Sequence, residues 1–143
     1  MRVAIIAAPY PLEEYPSPPL GISYVAAAFE AAGAEVRIFD YIISGYSKEK
    51  LSRQLAEFRP DAVFYLAGAD PHEGDRLGRL ALSYDGLLAR DRRVFEWAFT
   101  RRLPLALSMG GGYGHDIATT VQVQMNTFAI AAEYWRRWQN AAR

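Results

Sequence analysis

Residues 62–67 read Ala-Val-Phe-Tyr-Leu-Ala, and the stretch Gly68 to Gly78 that follows is polar and carries glycines. An apolar run of this length, ended by such a loop, suits a strand buried on both faces of a parallel sheet. The neighbouring segments decide whether it is one. Upstream, Ser47 is placed to cap a helix whose apolar stripe is Leu51, Leu55 and Phe58, and Pro60-Asp61 ends it. Downstream, Ser83 or Asp85 opens a helix predicted to run to about Arg102, with Leu87, Leu88, Val94, Phe95 and Ala98 inward. Leu105 to Met109 is a further short strand, Gly110-Gly-Gly-Tyr-Gly114 follows it directly, and Asp116 caps a long helix. Along that helix Ile117, Val121, Phe128, Ala131, Ala132, Trp135 and Trp138 recur at helical spacing.

The same alternation extends to the N-terminus. Val3 to Ala8 is a short apolar strand. Pro9 to Pro19 holds five of the eight prolines and is an extended loop. Its Glu13-Glu14 and its lack of flanking Arg argue against an SH3-type ligand. Leu20 to Ala32 is an alanine-rich helix with Ile22, Val25, Ala26 and Phe29 on one face and Gly33 as the residue that stops it. Glu35 to Ile43 is a β-branched strand. The order β-α-β-α-β-α-β-α predicts one α/β domain over residues 1–143. The expected architecture is a three-layer α/β/α sandwich, flavodoxin-like or Rossmann-like, with a four-stranded parallel sheet in the order 2-1-3-4. Ligands of such sheets bind at the carboxyl ends of the strands. The loops there are Pro9–Pro19, Tyr41–Ser47, Gly68–Gly78 and Gly110–His115.

Composition excludes several functions. The chain has 143 residues, 16 basic and 16 acidic, so the net charge is zero. Nucleic acid and anionic membranes are therefore not expected partners. With no cysteine, disulfides, iron–sulfur clusters, thiolate zinc sites and a cysteine nucleophile are all excluded. No apolar run reaches the ~20 residues of a membrane span. Met1-Arg-Val3 enters a strand directly, without a signal-peptide pattern, which predicts a cytoplasmic-type soluble protein. Only Lys48 and Lys50 are lysines, against fourteen arginines, and every basic residue beyond Pro60 is Arg.

Two stretches carry resemblances. Met1-Arg-Val-Ala-Ile-Ile-Ala-Ala-Pro-Tyr-Pro11, Pro18-Pro-Leu-Gly-Ile-Ser-Tyr-Val-Ala-Ala-Ala28 and Ala32-Gly-Ala-Glu-Val-Arg-Ile-Phe-Asp40 resemble the cobalamin-binding domain of radical SAM enzymes. Val63-Phe-Tyr-Leu-Ala-Gly-Ala-Asp-Pro71, Glu73-Gly-Asp-Arg-Leu-Gly78, Leu87 to Asp91 and Met109-Gly-Gly-Gly-Tyr-Gly114 resemble the C-terminal part of histone deacetylase-like zinc amidohydrolases, over residues 61–133. Neither resemblance covers a whole domain. The deacetylase resemblance implies an upstream half that bears a His-His acid–base pair and an Asp-x-His zinc pair, and no such half is in this chain. A join at Pro60-Asp61, inside both domains, reads as an engineered chimera of residues 1–60 and 61–143. The expectation is then a designed protein that is not an enzyme and needs no cofactor.

The resemblance makes Asp70 a zinc ligand and Tyr113 the hydroxyl that polarises a substrate carbonyl, both vestigial in an incomplete site. Asp70-Pro-His72 imitates an Asp-x-His pair, and His72, His115 and Asp75 are the other candidate metal ligands. A catalytic zinc usually takes three protein ligands. Gly110, Gly111 and Gly112 are candidates for an anion-binding turn, since glycine backbone lets N–H groups approach a phosphate. A turn needed for close packing is the alternative. Residual binding of cobalamin or a nucleotide, and a crippled zinc hydrolase, are the other functions considered. Trp135 and Trp138 lie three apart, which suits either core packing or a homodimer contact.

Overall fold

A computed structural model describes residues 1–7, 20–45, 47–78 and 80–141. The proline-rich loop of residues 9–19 lies outside them. The chain divides into two compact units, Met1–Val63 and Phe64–Arg143.

In the first unit, β1 (Arg2–Ala7) pairs in parallel with β2 (Glu35–Asp40), from Arg2 opposite Glu35 to Ala7 opposite Asp40. The connection between them contains α1 (Leu20–Ala31), which ends at Gly33 with a φ of 82°. That left-handed turn is where glycine avoids the steric penalty of a Cβ. The predicted second strand stops at Asp40, and Tyr41–Ser44 forms a short helix, α2. Lys50 Nζ donates to the carbonyls of Ser44 and Gly45, at 2.7 and 3.2 Å, satisfying groups at the C-terminal end of α2. Helix α3 (Lys48–Phe58) is capped as expected: Ser47 Oγ accepts from Lys50 N at 3.1 Å. Phe39, Tyr41 and Phe58 form the buried core here, with Ala4, Leu51 and Leu55 against it.

In the second unit, β3 (Val63–Ala67) pairs with β4 (Leu105–Met109), and α4 (Tyr84–Thr100) packs on α5 (Ile117–Ala141). Ser83 caps α4 by accepting from Gly86 N at 3.2 Å. The core is Phe95, Ile130 and Tyr134, with Tyr65 of β3 and Leu105 and Leu107 of β4 packed against them. A second cluster, Ala69, Leu87 and Val123, sits beneath the loop that leaves β3.

The sheet corrects the expected topology. Among the described residues there is no four-stranded sheet in the order 2-1-3-4; two separate two-stranded parallel sheets form, β1-β2 and β3-β4. The three-layer flavodoxin-like sandwich is overturned with it. Ala62 makes an isolated parallel bridge to Val3, and Arg2 holds Asp61 through its backbone and guanidinium at 2.7 Å each. No ladder among the described residues continues from that bridge. The physical reason lies in β3. Its apolar run reads as buried on both faces, yet Tyr65 points into the core while Phe64 and Leu66 stay exposed. Each strand pair completes its core with its own helices, so neither core requires a continuous sheet.

Helix α5 holds a second correction. Its buried residues are Val123, Gln124, Thr127, Ile130 and Tyr134. Val121, Phe128 and Trp135, expected at helical spacing along a core stripe, are exposed. Among the described residues no helix is long and apolar enough to cross a membrane.

Candidate active-site loops

Two loops leave the carboxyl ends of β3 and β4, and backbone contacts stitch them together. Ala69 N donates to Gly111 O at 2.8 Å, Arg76 N to Tyr113 O at 3.0 Å, and His115 N to Gly74 O at 2.9 Å. Asp75 and Gly114 form an antiparallel bridge. The glycines allow this approach. A Cβ on Gly110 would come within 3.0 Å of the Cα of Gly68, and one on Gly112 within 2.9 Å of the Ala69 Cβ. Gly112 also has a φ of 144°, which side-chain-bearing residues rarely adopt. Close approach of two backbones therefore accounts for the glycine run.

Asp75 is the residue that fastens the loops. One carboxylate oxygen accepts from Leu77 N at 2.9 Å and Gly78 N at 2.7 Å, and the other from Tyr113 N at 2.5 Å. Burial pushes against ionisation of this carboxyl, but the amides of Gly78, Tyr113 and Leu77, with the charge of Arg76, outweigh it and hold the group below its ordinary value. Tyr113 is thus clamped at its backbone. Its side chain is 58% exposed.

Asp70 occupies the turn after β3, and its carboxylate lies against the Cα atoms of Gly68 and Gly111. A Cβ on Gly68 would collide with Asp70 Oδ1, and one on Gly111 would come within 3.2 Å of it. The side chain is exposed and has no hydrogen-bond donor among the described residues. His72 is different: it is 5% exposed, and its ring lies 4.3 Å from that of Tyr84. Its Nδ1 accepts from Gly74 N at 2.9 Å, while Nε2 is buried with no partner among the described residues. His115 is exposed. Among the described residues no three His, Asp or Glu side chains come together to hold a metal. Asp70 suits one position in a zinc site, and these residues do not complete one.

Beneath the β3 loop lies a polar network centred on Asp91, the last residue of the matching stretch Leu87 to Asp91, whose partners the sequence does not reveal. Asp91 of α4 is 1% exposed. Its Oδ1 accepts from Tyr65 Oη at 2.5 Å and Arg90 Nε at 2.9 Å, and its Oδ2 from Thr127 Oγ1 at 2.6 Å. Arg90 Nη1 reaches the Gly68 carbonyl at 2.7 Å, so the network grips the start of the loop that carries Asp70. Burial, then the hydrogen bond to Asp91, raises the Tyr65 hydroxyl well above the usual phenol range. A further signal was a charged residue, Asp91, on the inward side of an apolar helix stripe.

The histone deacetylase domain family matches residues 44–129. Histone deacetylase 2 of Arabidopsis thaliana is 38% identical over 88 residues, covering 56% of this chain and 23% of that protein. An uncharacterized protein of Picosynechococcus is 46% identical over 63 residues, covering 44% of this chain and 21% of its own length. The chain thus spans about a fifth of the length of these relatives. The family match starts in α2 and runs through Pro60-Asp61 without a break, so nothing supports a join there. It also overturns the expectation of a protein that is not an enzyme, since the match is to a family of hydrolases. Through residues 44–129 the chain belongs to the histone deacetylase family.

Proposed function

We propose that residues 44–129 are the C-terminal portion of a deacetylase-type zinc amidohydrolase domain. They supply Asp70 and Tyr113 to a centre whose remaining groups belong to the upstream half of such a domain. The substrate class is an N-acetylated amine. The observation that carries this reading is the pair of stitched loops. They fix the Tyr113 backbone through Asp75 and Arg76 and seat an exposed, unpartnered Asp70 carboxylate against Gly68 and Gly111. Asp70 offers a carboxylate to a metal, and the Tyr113 hydroxyl offers a donor to the oxygen of a carbonyl under attack. A preorganised donor of that kind is worth about 10²–10³ in rate. Residues 1–43 lie outside the family match and carry no part of the proposal.

The test is a graft. Residues 44–129 replace the matching segment of Arabidopsis histone deacetylase 2, and turnover of an acetyl-lysine peptide is measured. Activity is expected in the graft, abolished by Asp70→Ala and lowered about 10²-fold or more by Tyr113→Phe. A folded graft that is inactive, or whose activity ignores both substitutions, overturns the proposal.

A further inference from the structure

Gln124 of α5 is buried at a cost. It is 9% exposed, its Oε1 has no partner among the described residues, and its Nε2 reaches the Gly110 carbonyl only at 3.5 Å. An unmet buried acceptor opposes folding, and an apolar side chain of the same length would avoid it. A residue kept against that cost points to a task in the site rather than in the core. Arg90 of α4 is its counterpart. Its Nη1 donates to the Gly68 carbonyl at 2.7 Å while its Nε donates to Asp91 at 2.9 Å. Gly68 and Gly110 are in close contact, since a Cβ on Gly110 would lie 3.0 Å from the Gly68 Cα. Gly68 opens the turn of Asp70, and Gly110 opens the run that ends at Tyr113. One side chain from each helix therefore ends on the carbonyl that opens one site turn. The helices are locked together at the same level. Thr127, one helical turn from Gln124, donates to Asp91, the neighbour of Arg90, at 2.6 Å, and Leu87 and Val123 pack with Ala69.

We infer that Arg90 and Gln124 are positioning residues, through which the α4–α5 pair sets the spacing between the Asp70 carboxylate and the Tyr113 hydroxyl. The inference rests on the proposed roles of those two groups. Arg90 and Gln124 act only through backbone carbonyls and touch no substrate. Asp70 and Tyr113 must serve one reacting carbonyl together, and a displacement of about 1 Å in such a pair costs about 10²-fold in rate. Arginine suits its double duty. Its planar fork presents fixed donors to Asp91 and Gly68 at once, whereas a lysine ammonium is a single point.

Two conservative variants test this in the full chain. Gln124→Met keeps the length and removes the unmet oxygen, so the urea midpoint should hold or rise. Arg90→Lys keeps a cation beside Asp91 and gives up the fork. Ala69, Arg76 and Tyr113 carry amides that stitch the loops. In both variants these amides should exchange about tenfold faster relative to those of Phe95 and Ile130 in the core. Loop amides that keep their rates, or that accelerate only in step with the core, overturn the inference. In the deacetylase graft both variants should lower kcat about tenfold at constant KM. A purely structural role would move kcat only as far as stability moves, so a Gln124→Met graft with the parent's kcat also overturns the inference. If the parent graft is itself inactive, the assignment of Asp70 and Tyr113 fails, and the exchange rates still decide whether Arg90 and Gln124 hold the two loops.

Discussion

Removing Asp91 is the most demanding test of how the site loops are held. Asp91→Ala deletes an acceptor that serves the Tyr65 hydroxyl, the Thr127 hydroxyl and the Arg90 guanidinium in a place that is 1% exposed. Breaking a buried charge pair costs about 3–5 kcal/mol, and stranding a buried hydroxyl about 1–3 kcal/mol. Two facts reduce the sum. The Arg90 side chain is 24% exposed, so water recovers part of its charge, and the Thr127 hydroxyl can turn its one proton to Val123 O, which lies 3.2 Å away. The net loss works out at about 3 kcal/mol, a large share of the ~5–15 kcal/mol that holds a domain. Urea unfolding followed by tryptophan fluorescence reads it directly, as a midpoint lowered by between about 1 and 3 M. Asp91→Asn keeps one acceptor oxygen and should lose about half as much. Hydrogen exchange at the amides of residues 68–70 should accelerate in both variants, because Arg90 loses the partner that aims it at the Gly68 carbonyl. A stability within about 0.5 kcal/mol of wild type for Asp91→Ala would refute the reasoning, since exposed surface changes fall in that range.

Acid should open the two site loops through Asp75. Its carboxyl is held below the ordinary aspartate value of 3.8, so its contribution is fully present above that pH and drains away as pH falls through the depressed value. Asp75→Asn should flatten that part of the stability–pH curve, and an unchanged acid limb would count against the clamp. Asp61 acts likewise in the first unit, where the Arg2 hydrogen bond lowers it to about 2; Asp61→Asn should remove the stability that wild type loses between 3.8 and that value. Gly112→Ala should destabilise the second unit by about 1–3 kcal/mol in thermal unfolding, because its Cβ meets Ala69 at 2.9 Å and its φ is 144°. Ser47→Ala removes the cap of α3 and should cost about 1 kcal/mol by urea unfolding.

Local chemistry was legible in the sequence wherever a residue acts on its own neighbours. Ser47 and Ser83 cap their helices, Gly33 stops α1, and Leu105–Met109 is the strand its composition suggests. Pairing and facing were not legible. An apolar run such as residues 62–67 does not say which strand lies beside it, and the alternation of exposed Phe64 and Leu66 with Tyr65 is hidden when every residue is apolar. Helix α5 fails for the same reason. Apolar residues lie on two sides of it, so periodicity identifies the helix but cannot choose which side is core. Asp70 and Tyr113 were singled out by motif and remain candidates; Asp91 ends the matching stretch Leu87 to Asp91, but its role in steadying the loop was not legible, because its partners Tyr65 and Thr127 are far from it in the chain.

The glycine run shows how the structure moves the chemical emphasis. Read as sequence, Gly110-Gly-Gly-Tyr-Gly114 invites an anion, since its backbone amides are unencumbered. In the fold the neighbouring chain lies too close for that to be its first role: Gly110 packs on Gly68, Gly111 gives its carbonyl to Ala69, and Gly112 leaves no room for a Cβ. What the run achieves is to bring Tyr113 to a fixed backbone position beside the turn of Asp70. Asp75 then completes the arrangement, because a carboxylate that accepts from Leu77, Gly78 and Tyr113 ties both loops with one side chain. In the proposed site the candidate groups, the Asp70 carboxylate and the Tyr113 hydroxyl, stay exposed while the groups that place them are buried or bonded. That division is what a catalytic edge requires, since a functional carboxylate or hydroxyl already satisfied within the protein has little left to offer a metal or a substrate.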